Sequence, residues 1–308
     1  MTKIQKEKQM RLGTEDLKGE REWRAMTGLK EAQYFKLLKS FTESYQEIYG
    51  QNLAARLQDT GITYCIKDEN DLLFLTLFSL KSGVTYDVLG VIFKMHMSNA
   101  KRQQSRGLEV LSHALEKEGY MPLSDDSTIE EIEEFMSKCE KLIIDATENR
   151  IQRPQDKEVQ KEHYSGKKKA HTNSHVLLSD DTTYIHYMSN GYPGKHQDFG
   201  LLKMLFEPKS DIFKNIHIKV DLGFLGFAKN YPHLKLDIPH KKPKNGTLTE
   251  EQKLENQQLA KERIYVEHSI GGMKRYRILM ERIRIHSTDL YNKVALVCAG
   301  LWNFNLIE

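Results

Sequence analysis

Two aspartates follow apolar, strand-like runs in this 308-residue chain. The stretch "KLIIDATENR" reaches Asp145 after Leu142, Ile143 and Ile144, and "IHIKVDLGF" (216–224) reaches Asp221 in the same way. If the two strands are neighbours in one sheet, their carboxylates meet at one edge, where they repel and resist desolvation. A divalent cation removes that cost, because hard cations such as Mg²⁺ prefer carboxylate oxygens. A carboxylate pair with open coordination positions suits phosphoryl chemistry, in which two metals ~3.5–4 Å apart clamp the attacking and leaving oxygens. The plainer role of either aspartate is a turn or cap residue.

A third acid comes from "AKERIYVEHSIGGMKRYRIL". In a helix Arg263, Glu267, Gly271 and Lys274 fall within about 40° of Glu267's direction. Ile264 and Ile270 lie one turn away on either side. This setting turns Glu267 toward a sheet; the alternative is a surface pair with Arg263, worth ~0.3–0.5 kcal/mol.

Such acids need elements to carry them. Residues 28–58 have helical periodicity, and 70–80 read as a buried helix capped by Asn70 or Asp71. Two helices then flank the turn "MHMS", the first over about 85–94 and the second capped by Ser98. The second opens with Asn99, Lys101, Arg102, Gln103, Gln104 and Arg106, residues able to pair with base edges and phosphates, or simply a solvated face. Residues 124–140 are acidic, with a capping box from Ser127 and Glu130. Beyond 141 the runs are of strand length: "KLIIDAT", then "HVLLSD" and "TYIHYMS" around an "SDDT" hairpin turn. "DFGLLKMLF" is helical, and "LKLDIPHKK" gives a last short strand. A long polar helix runs from about Thr249 to Met280, before the closing helix "LYNKVALVCAGLWNFNL". The order predicts an α/β layer domain behind a helical one. The expected division is a polar N-terminal segment (1–27), a helical domain (28–123), a linker helix (124–140) and a catalytic domain (141–308).

The net charge of +3 is only mildly basic, so its distribution matters more than its sum. "YSGKKKAH" clusters Lys167, Lys168 and Lys169; "PHKKPK" clusters Lys241, Lys242 and Lys244. "GGMKRYRIL" adds Lys274, Arg275 and Arg277 with Tyr276 between them. Each run can neutralise phosphates without reading sequence, or can be merely solvated. Cys65, Cys139 and Cys298 are widely spaced, which argues against a disulfide framework and a zinc ribbon. His163, His171 and His175 have no cysteine nearby, and the strand-like pattern around the last two does not suit a zinc site. The polar start has no apolar core of a secretory signal, and "LLFLTLFSL" is too short for a membrane span of ~20 residues.

These blocks, in this order, resemble the DDE transposases of bacterial insertion sequences, in the branch related to Harbinger-type elements. The resemblance runs from about Gly28 to Asn305. It rests on "LLFLTLFSLKSGVTYDVLGVIFKMHMSNAKR", "IIDATENRIQRPQDKEVQKEHYSGKKKAHT", "VDLGFLGF" and "RIYVEHSIGGMKRYRIL". It implies a helix-turn-helix domain followed by an RNase H-like mixed-sheet catalytic domain. It also implies that Asp145, Asp221 and Glu267 hold two divalent ions, Mg²⁺ or Mn²⁺, for cleavage at element ends and strand transfer of the 3′-OH to target DNA. Arg263 and Lys274 match the family's last block, whereas Ala260 stands where a Tyr is frequent and Ala146 where a Gly is common. Asp198 matches an aspartate often seen after the third strand, and would support the metals or cap a helix. Glu148 would support the site or pair with Arg150. The implied partners are double-stranded DNA, as terminal inverted repeats and target, and a second copy of the chain; the implied setting is the bacterial cytoplasm, at the nucleoid. Two other readings stay open: a DNA-binding relative without catalysis, and a different RNase H-like nuclease.

Overall fold

The computed structural model describes residues 11–58, 65–231, 233–285 and 287–308. The chain divides into two compact units, the first ending at Gly119 and the second beginning at Tyr120.

The described residues of the first unit are helical. Its helices are α1 (Glu20–Thr27), α2 (Glu31–Tyr49), α3 (Leu53–Gln58), α4 (Glu69–Ser82), α5 (Tyr86–Ile92) and α6 (Met97–Lys117). The helix expected over 28–58 is interrupted, because Gly50 takes the left-handed conformation (φ +75°) and ends α2. Helix α4 is apolar all round and buried among the others, and Asp68 caps it rather than Asn70 or Asp71. Asp68 is still extended and its carboxylate accepts from Asp71 N, whereas residues 69–71 are already helical. Helix α6 starts at Met97, earlier than expected, with the His96 ring instead of Ser98 accepting at its N-terminus. Gln104 leaves the polar face: it is buried, donates to Ser79 Oγ and accepts from Tyr86 OH.

The second unit is a mixed α/β layer structure. In order come α7 (Ile129–Lys138), β1 (Lys141–Arg150), α8 (Lys157–His163), β2 (Tyr164–Ser165), β3 (Ala170–Ser179), β4 (Ile185–Met188), β5 (Tyr192–Pro193), α9 (Asp198–Leu205), β6 (His217–Lys219), α10 (Phe227–Asn230), β7 (Lys235–Asp237), α11 (Glu250–Met273) and α12 (Thr288–Ile307). The sheet runs β2–β3–β1–β6–β7, with β4 and β5 also on β3. β1 is antiparallel to β3 and parallel to β6.

Alternation along β1 divides its side chains between two layers. Leu142 and Ile144 join Ile218, Val220, Leu201 and Phe227 in one core. Asn149 points to the other layer, where it donates to Tyr291 of α12. The linker helix α7 is capped by Thr128 with Glu131, one residue later than the pair Ser127 and Glu130. The polar helix stops at Met273; a turn and a short 3-10 helix (Arg277–Leu279) replace its expected last turns.

Candidate active site

Asp145 is not at the end of its strand. The ten-residue antiparallel partner β3 carries β1 on to Arg150, a non-local support that an apolar run cannot reveal. The parallel partner is much shorter, and its last pair is Ile143 with Lys219. Asp145 stands two residues beyond Ile143, and Asp221 two beyond Lys219. The two aspartates are therefore level with each other where the parallel ladder has just ended.

Asp221 follows the strand instead of closing it. Its Oδ1 accepts from Gly223 N at 2.7 Å and caps a short 3-10 helix, Leu222–Phe224. Asp145 Oδ1 accepts from Ala146 N at 2.7 Å. Asp198, the first residue of α9, completes an acidic group: a Cβ on Gly223 would stand 2.8 Å from Asp221 Oδ1 and 3.1 Å from Asp198 Oδ2. Asp198 does not cap α9, since Gln197 holds that position without a side-chain bond.

Two cations approach the acids without closing on them. Arg263 Nη2 of α11 lies 3.9 Å from Asp221 Oδ2, and Lys167 Nζ lies 3.6 Å from Asp198 Oδ2. Burial pushes the Asp145 carboxyl up to about 6; the charges of Asp221 and Asp198 add to the rise, and Arg263 opposes it. Burial likewise raises Asp198, with Lys167 opposing. At the far end of α11, Lys274 Nζ donates to Glu148 O at 3.0 Å. Burial lowers that ammonium to about 8, helped by the nearby Lys168. The Glu148 carboxylate accepts from Thr172 Oγ1 at 2.7 Å.

The family model for the DDE superfamily endonucleases matches residues 144–303, more than half of the chain. The chain belongs to that family. The matched span of this DDE endonuclease begins beside Asp145 and contains Asp221 and Glu267. A relative described as "Probable transposase for insertion sequence element IS702", from Microchaete diplosiphon, is 33% identical over 166 residues. That alignment covers 54% of this chain and 57% of the relative, so the chain spans little more than half the length of the protein it matches. No solved structure matches it.

Within this DDE endonuclease, Asp145, Asp221, Asp198 and Arg263 share one electrostatic neighbourhood, and Lys167 reaches its rim. Glu267 lies one helical turn beyond Arg263 on α11 and is exposed rather than turned to the sheet, because the buried positions of the helix are Val266, Ser269, Gly272 and Met273. Among the described residues, no three carboxylate, imidazole or thiolate groups gather closely enough to hold one metal ion. The aspartate pair nevertheless fits a divalent cation by its chemistry: hard oxygen donors, mutual repulsion, and a neighbouring Arg263 that stops 3.9 Å from Asp221.

The predicted DNA-facing residues are spread over both units. Asn99, Lys101 and Arg102 are exposed at the start of α6, and Arg106 is half-buried, bonded to Gln103 Oε1 at 3.3 Å. Lys167, Lys168 and Lys169 form an exposed hairpin loop, and Lys241, Lys242 and Arg275 are exposed. Tyr276 is buried, so it does not interleave with the cations around it. His175 is buried in the sheet, bonded to Ser189 O and Tyr291 OH. No helix among the described residues is long and apolar enough to cross a membrane.

Two features escaped the sequence reading. Gly223 leaves the space between the carboxylates clear. Lys219 is buried, and its ammonium meets Glu262 of α11 and lies 3.7 Å from Asp237 Oδ2. A lysine inside the apolar run "IHIKVD" was the available signal for that anchor.

Proposed function

We propose that this chain is a transposase that cuts DNA at the ends of its element and joins the freed 3′-OH to target DNA. The observation that carries this reading is the level placement of Asp145 and Asp221 beyond the parallel β1–β6 ladder, beside the helix that presents Arg263. In this reading the catalytic unit is RNase H-like, and Asp145, Asp221 and Glu267 hold two Mg²⁺ or Mn²⁺ ions. When bound, such ions stabilise charge on the reacting phosphate and lower the pKa of a coordinated water. Asp145 and Asp221 fix the donor oxygens on a rigid sheet, and Glu267 adds a carboxylate from α11. Arg263 orients Asp221, while Asp198 and Glu148 support the rim. Lys274 secures α11 to β1 through Glu148 O.

DNA is held by charge and read by shape and base edges. α5 and α6 act as a helix-turn-helix, with Asn99, Lys101, Arg102 and Arg106 toward the terminal inverted repeats. Lys167, Lys168, Lys169, Lys241, Lys242 and Arg275 neutralise phosphates. Two element ends must meet for transposition, so the working form is a dimer on DNA.

Labelled duplexes from both flanks of the reading frame test this. Incubated with the purified protein, they should be cut at inverted repeats in Mg²⁺ and left whole in EDTA. Asp145→Ala and Glu267→Ala should bind the ends but not cut them. Unchanged cutting by either variant refutes the site assignment. Specific binding without any metal-dependent cutting by the native chain instead supports a DNA-binding relative that has lost catalysis.

A further inference from the structure

The β2–β3 hairpin folds its lysine loop back onto the acidic group. Ser165 pairs with Ala170, leaving residues 166–169 as the loop. Lys168 N donates to Ser165 Oγ at 3.1 Å, and Lys169 takes a left-handed backbone (φ +48°). These two features fix the loop's course and send successive lysines to different places. Lys167 reaches Asp198, with Nζ 3.6 Å from Oδ2. Lys168 lies close enough to Lys274, which donates to Glu148 O, for the two like charges to act on each other.

Exposure sharpens the contrast within the Lys167–Asp198 pair. The Lys167 side chain is 67% exposed and that of Asp198 only 17%. A hairpin lysine serving solvation alone would extend into water, where its four-carbon stem has most freedom. Lys167 instead leans over the carboxylate rim, where Gly223 keeps the floor clear between Asp221 and Asp198. Its ammonium is at the rim of the acids but open to a ligand arriving from solvent.

We propose that Lys167 contacts the phosphate being cut, with Lys168 on an adjacent phosphate of the same strand. The other basic residues hold flanking DNA. This inference rests on the transposase reading and adds a catalytic residue to it. In the step concerned, the attacking oxygen of water or of the 3′-OH forms a new P–O bond as the bond to the leaving oxygen breaks. The attacking oxygen gives up its proton and the leaving oxygen takes one from solvent. Lys167 exchanges no proton or electron pair; it neutralises charge gathering on the non-bridging oxygens, which is worth most in the transition state. Lys167 should therefore govern rate, whereas Lys241 and Lys242 should govern affinity.

The test compares Lys167→Met, Lys167→Arg, Lys168→Met, the double variant Lys241→Met/Lys242→Met, and Asp145→Asn. Each is assayed on duplexes covering both flanks of the reading frame. Single-turnover cutting is measured in Mg²⁺ at saturating DNA, and Kd by fluorescence anisotropy in Ca²⁺. Lys167→Met should slow cutting by ~10²–10³-fold with Kd changed less than about threefold, and Lys167→Arg should recover part of the rate. Lys168→Met should give a smaller loss of rate. The Lys241/Lys242 pair should raise Kd and flatten its salt dependence, with a smaller loss of saturated rate than Lys167→Met. A native rate for Lys167→Met at saturation, with Asp145→Asn inactive, overturns this inference and leaves the transposase reading standing. Cutting by Asp145→Asn at the native rate, or none by the native chain, overturns both.

Discussion

Asp145 is held in a site that resists its charge, and this gives it an effect on stability opposite to the role proposed for it in cutting. Its folded pKa of about 6 lies above the ordinary 3.8, so the folded chain holds this proton more tightly than the unfolded chain. The contribution is fully present below about pH 4 and is lost as pH rises through about 6. At pH 7.5 without metal, the ionised carboxylate costs on the order of 2–3 kcal/mol. Asp145→Asn should therefore stop cutting yet raise urea-denaturation stability in EDTA by roughly 1–3 kcal/mol. A variant no more stable than the native chain would count against the buried-charge account. Gly223→Ala isolates the carboxylate geometry. The added methyl meets the movable ends of Asp221 and Asp198, so the fold should shift by less than about 1 kcal/mol while Mn²⁺ affinity, read by calorimetry, falls several-fold. Equal affinity would show that these carboxylates do not need the space.

Among the elements, α11 sets the reach of Arg263, Glu267 and Lys274 to β1. Lys219 and Glu262 anchor its middle, Lys274 anchors its end, and Gly272 lies flat on the Trp302 ring of α12. A Cβ at position 272 would stand 2.3 Å from that ring. Gly272→Ala should cost about 1–3 kcal/mol by overpacking and should also slow cutting, because it lifts α11 away. Unaltered denaturation and cutting together would mean that this contact does not set the helix's position. The same scale explains what could be read from the sequence. Apolar runs located β1, the helices from α4 to α6, and α9, and the level aspartates followed from adjacent strands. What escaped depends on distant partners: β3 prolongs β1 beyond Asp145, and Lys219 is buried because Glu262 meets it. The short elements α8, β2 and β5 have too few residues to show a period. Spacing turned Glu267 toward the sheet, yet it is exposed, because α11 packs through Val266, Ser269, Gly272 and Met273 instead.

Over the whole molecule, acid stability should report on His175. Burial lowers its pKa from 6.5 to about 4, so the unfolded chain takes up a proton that the folded chain refuses. Stability from this residue is full above about pH 6.5 and is lost as pH falls toward 4, by on the order of 3 kcal/mol. Asp145 works in the opposite direction over part of that range, so the fall should be steeper in Asp145→Asn. Denaturation midpoints between pH 6.5 and 4.5 measure both slopes; parallel slopes in the two proteins would contradict the assignment.

The last described helix, α12, reaches across the second unit. Tyr291 meets His175 and Asn149, Trp302 donates to Thr183 O, and Asn303 bonds the backbone of Ile185 and Tyr120. Residues 120 and 303 thus close one structure although the ribosome makes them at opposite ends of that unit's synthesis. A growing chain exposes Asp145 and Asp221 long before the helix that locks their sheet has emerged. Messages cut short before codon 303 would yield proteins with Asp145 and Asp221 but without this closure. Completion of the sheet that carries Asp145 and Asp221 is thereby tied to synthesis of the chain through this point.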